Sequence, residues 1–303
     1  LLEIITIALG LALIVLASGN SVGVSVGNLI ASRIVTKRTA MVIVVVGFVS
    51  GFILEGNLMQ KTASAFFVGP SVPPFYLLIP ICIFAISFLK KIPQSLSISI
   101  TTALFGTNLA LGNLSTIPKM YSIVSFWILV PIASFALSII LLRALKRLLR
   151  NKFSWSLVML MKILMILASF FMSFVIGSNI IGFIYALLPP NPYLPLLIVA
   201  SIVIGCLAFS GRVLKRISNE IIPMRYINTI SSQAVLISLI EFSTLFGIPI
   251  SNTETFIGGI YGSGVGYKNR LIAKRPIKTI LLFWISTAFV CFMLGYFSAF
   301  VMA

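Results

Sequence analysis

Apolar runs of about membrane-span length follow one another along almost the whole chain, separated by short polar stretches. Cut at those stretches, the sequence predicts ten crossings: near 4–32, 40–56, 74–89, 93–118, 121–142, 154–186, 194–211, 227–246, 248–267 and 279–303. Four of these are not plain. The first is predicted to break at Gly19-Asn20 and the sixth at Gly177-Ser178-Asn179. The fourth and ninth are too polar and glycine-rich for unbroken helices, and both carry one element. Ile92-Pro93-Gln94-Ser95 with Phe105-Gly106-Thr107 returns 156 residues later as Ile248-Pro249-Ile250-Ser251 with Tyr261-Gly262-Ser263. Matched interruptions in two halves of a membrane protein point to a binding site at the repeat interface.

Charge supplies the topology. Of the 22 basic residues, 19 fall in alternate loops; the other loops hold only Lys61 and Lys119, and Lys162 lies inside a run. Basic loops stay cytoplasmic, so both termini are predicted outside. Five crossings per half is an odd number, so the halves must be inverted. The predicted fold is an all-α polytopic membrane protein of two inverted repeats, residues 1–150 and 151–303, with broken helices and two re-entrant Ile-Pro/Ser elements. The expected location is the cell membrane. The run from Ile4 to Ala17 is read as a span, because Glu3 and no basic flank precedes it.

Composition narrows the function. The chain is 59% hydrophobic and 9% charged, whereas a soluble domain is nearer a quarter charged. The longest polar stretch, Arg143 to Lys152, leaves no room for a nucleotide-hydrolysing module, and there is no P-loop motif. The net charge of +17 clusters at the ends of apolar runs, which argues for topology and against nucleic acid. With no histidine and no aspartate, a histidine relay and a His-ligated metal are excluded. Cys82, Cys206 and Cys291 lie singly in apolar runs and are read as packing residues. No nucleophile–base pair points to an enzyme, no cofactor is implied, and no rings of charge point to a channel.

The candidate chemistry sits in the breaks. Asn20 and Ser25 in the first crossing and Asn179 in the sixth offer amides and a hydroxyl to an oxyanion or ion; the alternative is helix–helix glue. Proline suits a first helical turn. Ser95 and Ser97, or Ser251, Asn252 and Thr253, can therefore cap new half-helices whose N-termini attract an anion without a cationic side chain. A capped kink without a ligand is the simpler reading. Glu241 and Glu254 are intramembrane carboxylates, hence candidate proton carriers. The competing roles are a structural pair with Lys162 for Glu241 and helix stabilisation for Glu254. Glu55 is expected to be solvated near a loop.

Over nearly its whole length the chain resembles the inorganic phosphate transporter (PiT) family of phosphate and sulfate permeases. Gly247-Ile248-Pro249-Ile250-Ser251-Asn252-Thr253-Glu254, followed by Gly258, Gly262, Gly264 and Gly266, resembles the family's Pro-Val-Ser-Thr-Thr-His element and its Gly-rich sequel. Asn20-Ser21-Val22-Gly23-Val24-Ser25-Val26-Gly27 resembles its Asn-Ala-Phe-Gly-Thr-Ser-Val-Gly, and Gly211 to Ile217 its cytoplasmic lead-in. The resemblance implies inverted repeats, a central site and a homodimer. The family's Asn-Asp pairs, linked to cation coupling, are replaced by Leu16-Ala17 and Val175-Ile176, and its final histidine by Glu254. Sodium coupling therefore does not carry over, and H+ or Na+ stays open. The expected function is ion-coupled secondary transport of inorganic phosphate by alternating access. Sulfate or another oxyanion, or a non-transporting scaffold or sensor of the same fold, are the alternatives.

Overall fold

The computed structural model describes residues 2–66, 75–90, 94–150, 154–220, 226–266 and 275–302. Ile92 and Pro93 of the first repeated element lie outside them. Twelve α-helices occur among the described residues: α1 (Leu2–Ala31), α2 (Lys37–Glu55), α3 (Gln60–Ala65), α4 (Phe75–Lys90), α5 (Leu96–Ala110), α6 (Ile117–Leu148), α7 (Trp155–Ile176), α8 (Gly182–Ala186), α9 (Leu194–Glu220), α10 (Tyr226–Leu245), α11 (Asn252–Gly266) and α12 (Arg275–Met302). Five helical stretches are long and apolar enough to cross a membrane: Leu2–Gly27, Lys37–Ala65, Leu114–Leu148, Trp155–Ala186 and Leu281–Ala299. By contrast, α4 has 16 residues and α5 and α11 have 15 each. At 1.5 Å per residue they reach about 22–24 Å, short of a ~30 Å hydrocarbon core.

The distribution of polarity is reversed from that of a soluble bundle. Large apolar side chains lie outside, among them Ile128, Leu129 and Ile132 on α6 and Leu282, Ile285 and Phe289 on α12. Small hydroxyl residues lie inside: Ser134 and Ser138 on α6, Ser169 and Ser173 on α7. This suits a lipid surround, where helices gain nothing from hiding apolar surface and associate by close backbone packing. Among the extensive contacts, α1 packs on α9, α2 on α7, α5 on α12 and α6 on α11. Glycines allow each approach. A Cβ at Gly205 would overlap the Val15 carbonyl, at Gly51 the Phe174 carbonyl, at Gly106 the Phe292 carbonyl and at Gly262 the Phe135 carbonyl.

Several expectations change. α1 runs unbroken through Gly19-Asn20; Ser18, just before them, bonds back to the Ile14 carbonyl at 2.8 Å and faces Gly205 of α9, so the small residues there make room for a neighbour. The sixth run is not cut either. A π-helical turn, Gly177–Ile181, joins α7 to α8. The fourth and fifth runs are divided earlier than predicted, between α5, which ends at Ala110, and α6, which starts at Ile117. Lys162 does not pair with Glu241: its Nζ lies 6.0 Å from the ring centroid of Trp155, one helix end away. Glu241 faces Glu55 instead. One oxygen of each carboxyl is buried without a hydrogen-bond partner, so Glu55 is not simply solvated. Cys206 and Cys291 are buried and Cys82 is exposed, all three as free thiols.

Candidate functional site

The serines that follow the two Ile-Pro pairs, Ser95 and Ser251, lie at helix starts. Ser95 ends an extended residue (φ −96°, ψ 114°), and its Oγ accepts from Ile98 N–H at 3.4 Å. Ser251 does the same for α11, accepting from Glu254 N–H at 3.3 Å. The first i→i−4 bonds are Ser99 N to Ser95 O and Thr255 N to Ser251 O. The first-turn N–H groups of Leu96 and Ser97 on α5, and of Asn252 and Thr253 on α11, therefore have no partner within their helices. The two starts meet: Thr253 Oγ1 donates to the Gln94 carbonyl at 3.4 Å.

Where they meet there is a cleft lined by Ala17, Asn20, Ser21, Val24, Gln94, Ser95, Leu96, Ile180, Asn252 and Thr253. Ala17, Asn20, Ser21 and Val24 are one face of an unbroken helix, at i, i+3, i+4 and i+7. That spacing on an unbroken helix adds Ser21 to the candidates, a residue that a break at Gly19-Asn20 conceals. The free space is about 10 Å³, room for on the order of one water. No cationic side chain among the described residues lines it. Its positive potential comes from two helix N-termini, each equivalent to roughly half a charge. Acceptors are present too. Asn252 is buried with both amide atoms unpartnered, so either orientation of its amide leaves an acceptor and a donor free. Gln94 Oε1 is also unpartnered, while its Nε2 donates to Ser99 Oγ at 2.7 Å.

The remaining candidates lie elsewhere. Asn179 is fully buried but turned away from the cleft. Its Nδ2 donates to Thr244 Oγ1 at 2.9 Å and to the Ile248 carbonyl at 3.1 Å, and its Oδ1 accepts from Ile250 N–H at 3.2 Å. It thus grips the α10–α11 linker while Ile180, its neighbour in the π turn, faces the cleft. The linker is held from two other sides. Trp127 Nε1 donates to the Pro249 carbonyl at 2.9 Å, and Thr62 Oγ1 donates to the Gly247 carbonyl. Gly247 has φ +66°, a left-handed conformation that suits glycine. Ser25 and Ser97 are buried with unpartnered hydroxyls and do not line the cleft; the Ser25 carbonyl accepts from Gln233 Nε2 at 3.5 Å. Glu254 is buried in the first turn of α11 with its carboxyl beside the Ser251 hydroxyl, in the Ser-x-x-Glu spacing of a capping box. Glu241 is on α10, beside Glu55 and outside the cleft.

The model of the phosphate transporter family PHO4 matches residues 17–295. A protein of Methanocaldococcus jannaschii carried under the name phosphate permease is 23% identical over 292 residues, covering 94% of this chain and 92% of its own. One of Chlamydia muridarum with the same type of name is 33% identical over 141 residues, 41% of this chain and 32% of its own. A solved structure described as the sodium-dependent phosphate transporter superposes with a TM-score of 0.83 at 16% identity, over 99% of this chain and 98% of that one.

Proposed function

The chain belongs to the phosphate transporter family, and on that premise we propose that it is a secondary active transporter of inorganic phosphate working by alternating access. The observation that carries the proposal is the meeting of the α5 and α11 N-termini at one cleft. A helix N-terminus binds an oxyanion through main-chain N–H groups and its dipole, with no arginine needed. The substrate-binding set is Asn20, Ser95, Asn252 and Thr253 at the cleft and Ser251 behind it. Asn179 acts through the linker that it holds, and Ser25 and Ser97 line the path once the cleft opens.

Two inverted repeats, 1–150 and 151–303, are the architecture proposed. Their support is an exchange of packing partners. If α1, α2, α5 and α6 correspond to α7, α9, α11 and α12, then α1 on α9 becomes α7 on α2, and α5 on α12 becomes α11 on α6; all four packings occur. The starts of α5 and α11 then approach the site from opposite sides of the membrane. Both termini face outward, as the basic loops require.

Phosphate is favoured over sulfate by the unpartnered acceptors, Asn252 Oδ1 and Gln94 Oε1. Phosphate near neutral pH can donate a proton to them, and sulfate cannot. The coupling ion in this reading is the proton. Ala17 and Ile176 offer a cation nothing beyond main-chain oxygens, and Glu254 on α11 is the carboxyl nearest the cleft. Labelled phosphate and sulfate uptake into proteoliposomes, under sodium and proton gradients imposed separately, tests all of this. Phosphate uptake driven by the proton gradient is expected. Absence of uptake under any gradient would instead identify a non-transporting scaffold.

A further inference from the structure

Beside the basic end of α2 lies a groove unrelated to the cleft. It has a volume of about 550 Å³ and is lined by Lys37, Arg38, Met41, Val42, Val45, Val46 and Leu207. Its two ends differ. Lys37 and Arg38 are exposed at the mouth. Below them, Met41 to Val46 of α2 and Leu207 of α9 form a purely apolar wall, with Val42, Val46 and Leu207 exposed. From residue 37 to 46 the helix descends about 14 Å. The sequence holds no acid between Glu3 and Glu55; the one acid of α2, Glu55, is its last residue, at the opposite end of the helix from this pair.

We propose that this groove is a binding site for an anionic phospholipid of the cytoplasmic leaflet, with its phosphate on Lys37 and Arg38 and an acyl chain along Val42, Val45, Val46 and Leu207. The charge order matches one molecule: an anion at the level of the headgroups, then apolar depth. A free phosphate ion would use the mouth and leave the apolar wall empty. A neutral lipid would fill the wall and leave two cations unmatched. The volume lies in the range of small-molecule sites, and α2 carries Gly47 and Gly51, which pack it on α7. Lipid bound here would bear on a helix that contacts α1, α7 and α9.

The test is the affinity of the full chain, reconstituted in phosphatidylcholine nanodiscs, for spin-labelled phosphatidylglycerol against spin-labelled phosphatidylcholine. Wild type is expected to prefer the anionic lipid, and Lys37→Gln/Arg38→Gln to lose roughly fivefold of that preference per charge. Val46→Trp, which keeps both charges but fills the wall, is expected to lose bound label of either kind. Arg143→Gln/Arg147→Gln, at another basic helix end, is expected to leave the preference unchanged. Equal loss in the two double variants would show a general surface effect and overturn the proposal, as would full preference in Val46→Trp. Oxidative cross-linking of Val42→Cys between copies, absent from the parent, would assign the groove to a dimer contact instead.

Discussion

Asn179 holds the main chain of Ile250: the Ile250 N–H donates to Asn179 Oδ1 at 3.2 Å, across 71 residues of sequence. The next residue is Ser251, which caps α11. A side chain in a π turn thus sets where one wall of the cleft begins. Asn179→Ala leaves the Ile250 N–H and the Ile248 carbonyl without this partner in a buried place. A loss of about 1–3 kcal/mol is expected, read as a lower unfolding midpoint in detergent together with weakened phosphate binding. Unchanged binding in a folded Asn179→Ala protein would remove its role in placing α11.

The two caps are expected to differ from ordinary surface caps. Replacing Ser95 or Ser251 by alanine should cost about 1 kcal/mol of helix stability and also reduce phosphate affinity, because each removes a hydroxyl of the proposed binding set. Ser251→Leu adds bulk at the start of α11 and should abolish binding. Titration calorimetry on purified protein checks both; wild-type affinity in Ser251→Leu would rule out the half-helix site.

Glu254 separates binding from coupling. Glu254→Gln keeps the size of the side chain and loses its ability to ionise. Proton-driven uptake should disappear, while exchange of internal for external phosphate should persist. Driven uptake at the wild-type rate would dismiss Glu254 as the carrier and turn attention to Glu241, whose carboxyl lies against Glu55.

Two glycines should respond in opposite proportion to their backbone geometry. Gly262 is helical, but a Cβ there would overlap the Phe135 carbonyl of α6. Gly262→Ala should therefore cost at least 1–3 kcal/mol of overpacking. Gly112 has φ +74° with nothing within 4 Å of a Cβ, so Gly112→Ala should cost only about 1 kcal/mol of backbone strain. Thermal unfolding followed by monodispersity gives the order; a less stable Gly112→Ala protein would contradict the packing of α11 on α6.

Much of the cleft's framework was legible because it is local. A proline followed two residues later by a serine favours a helix start through its pre-set φ and the serine cap, and α11 begins at Asn252, just after Ser251. Hydrophobic run length gave the helical class, since lipid leaves main-chain groups no partner outside the helix. The small residues around Gly19 misled, because sequence does not distinguish a break from a place where another helix approaches; Gly205 decides that, 186 residues away. The neighbour of Glu241 was out of reach for the same reason: it lies in an apolar run, and only packing reveals that it faces Glu55.

Hydropathy, caps and the repeated Ile-Pro element determined by themselves that this is a helical membrane protein with helices starting shortly after Pro93 and Pro249, because those signals act over a few residues. That the two starts meet beside Asn20, that Asn179 turns to the linker and not to the cleft, and that Glu55 faces Glu241 were decided only by tertiary structure. Each depends on helices brought together by close backbone approach, and no short-range preference of the chain encodes such a meeting.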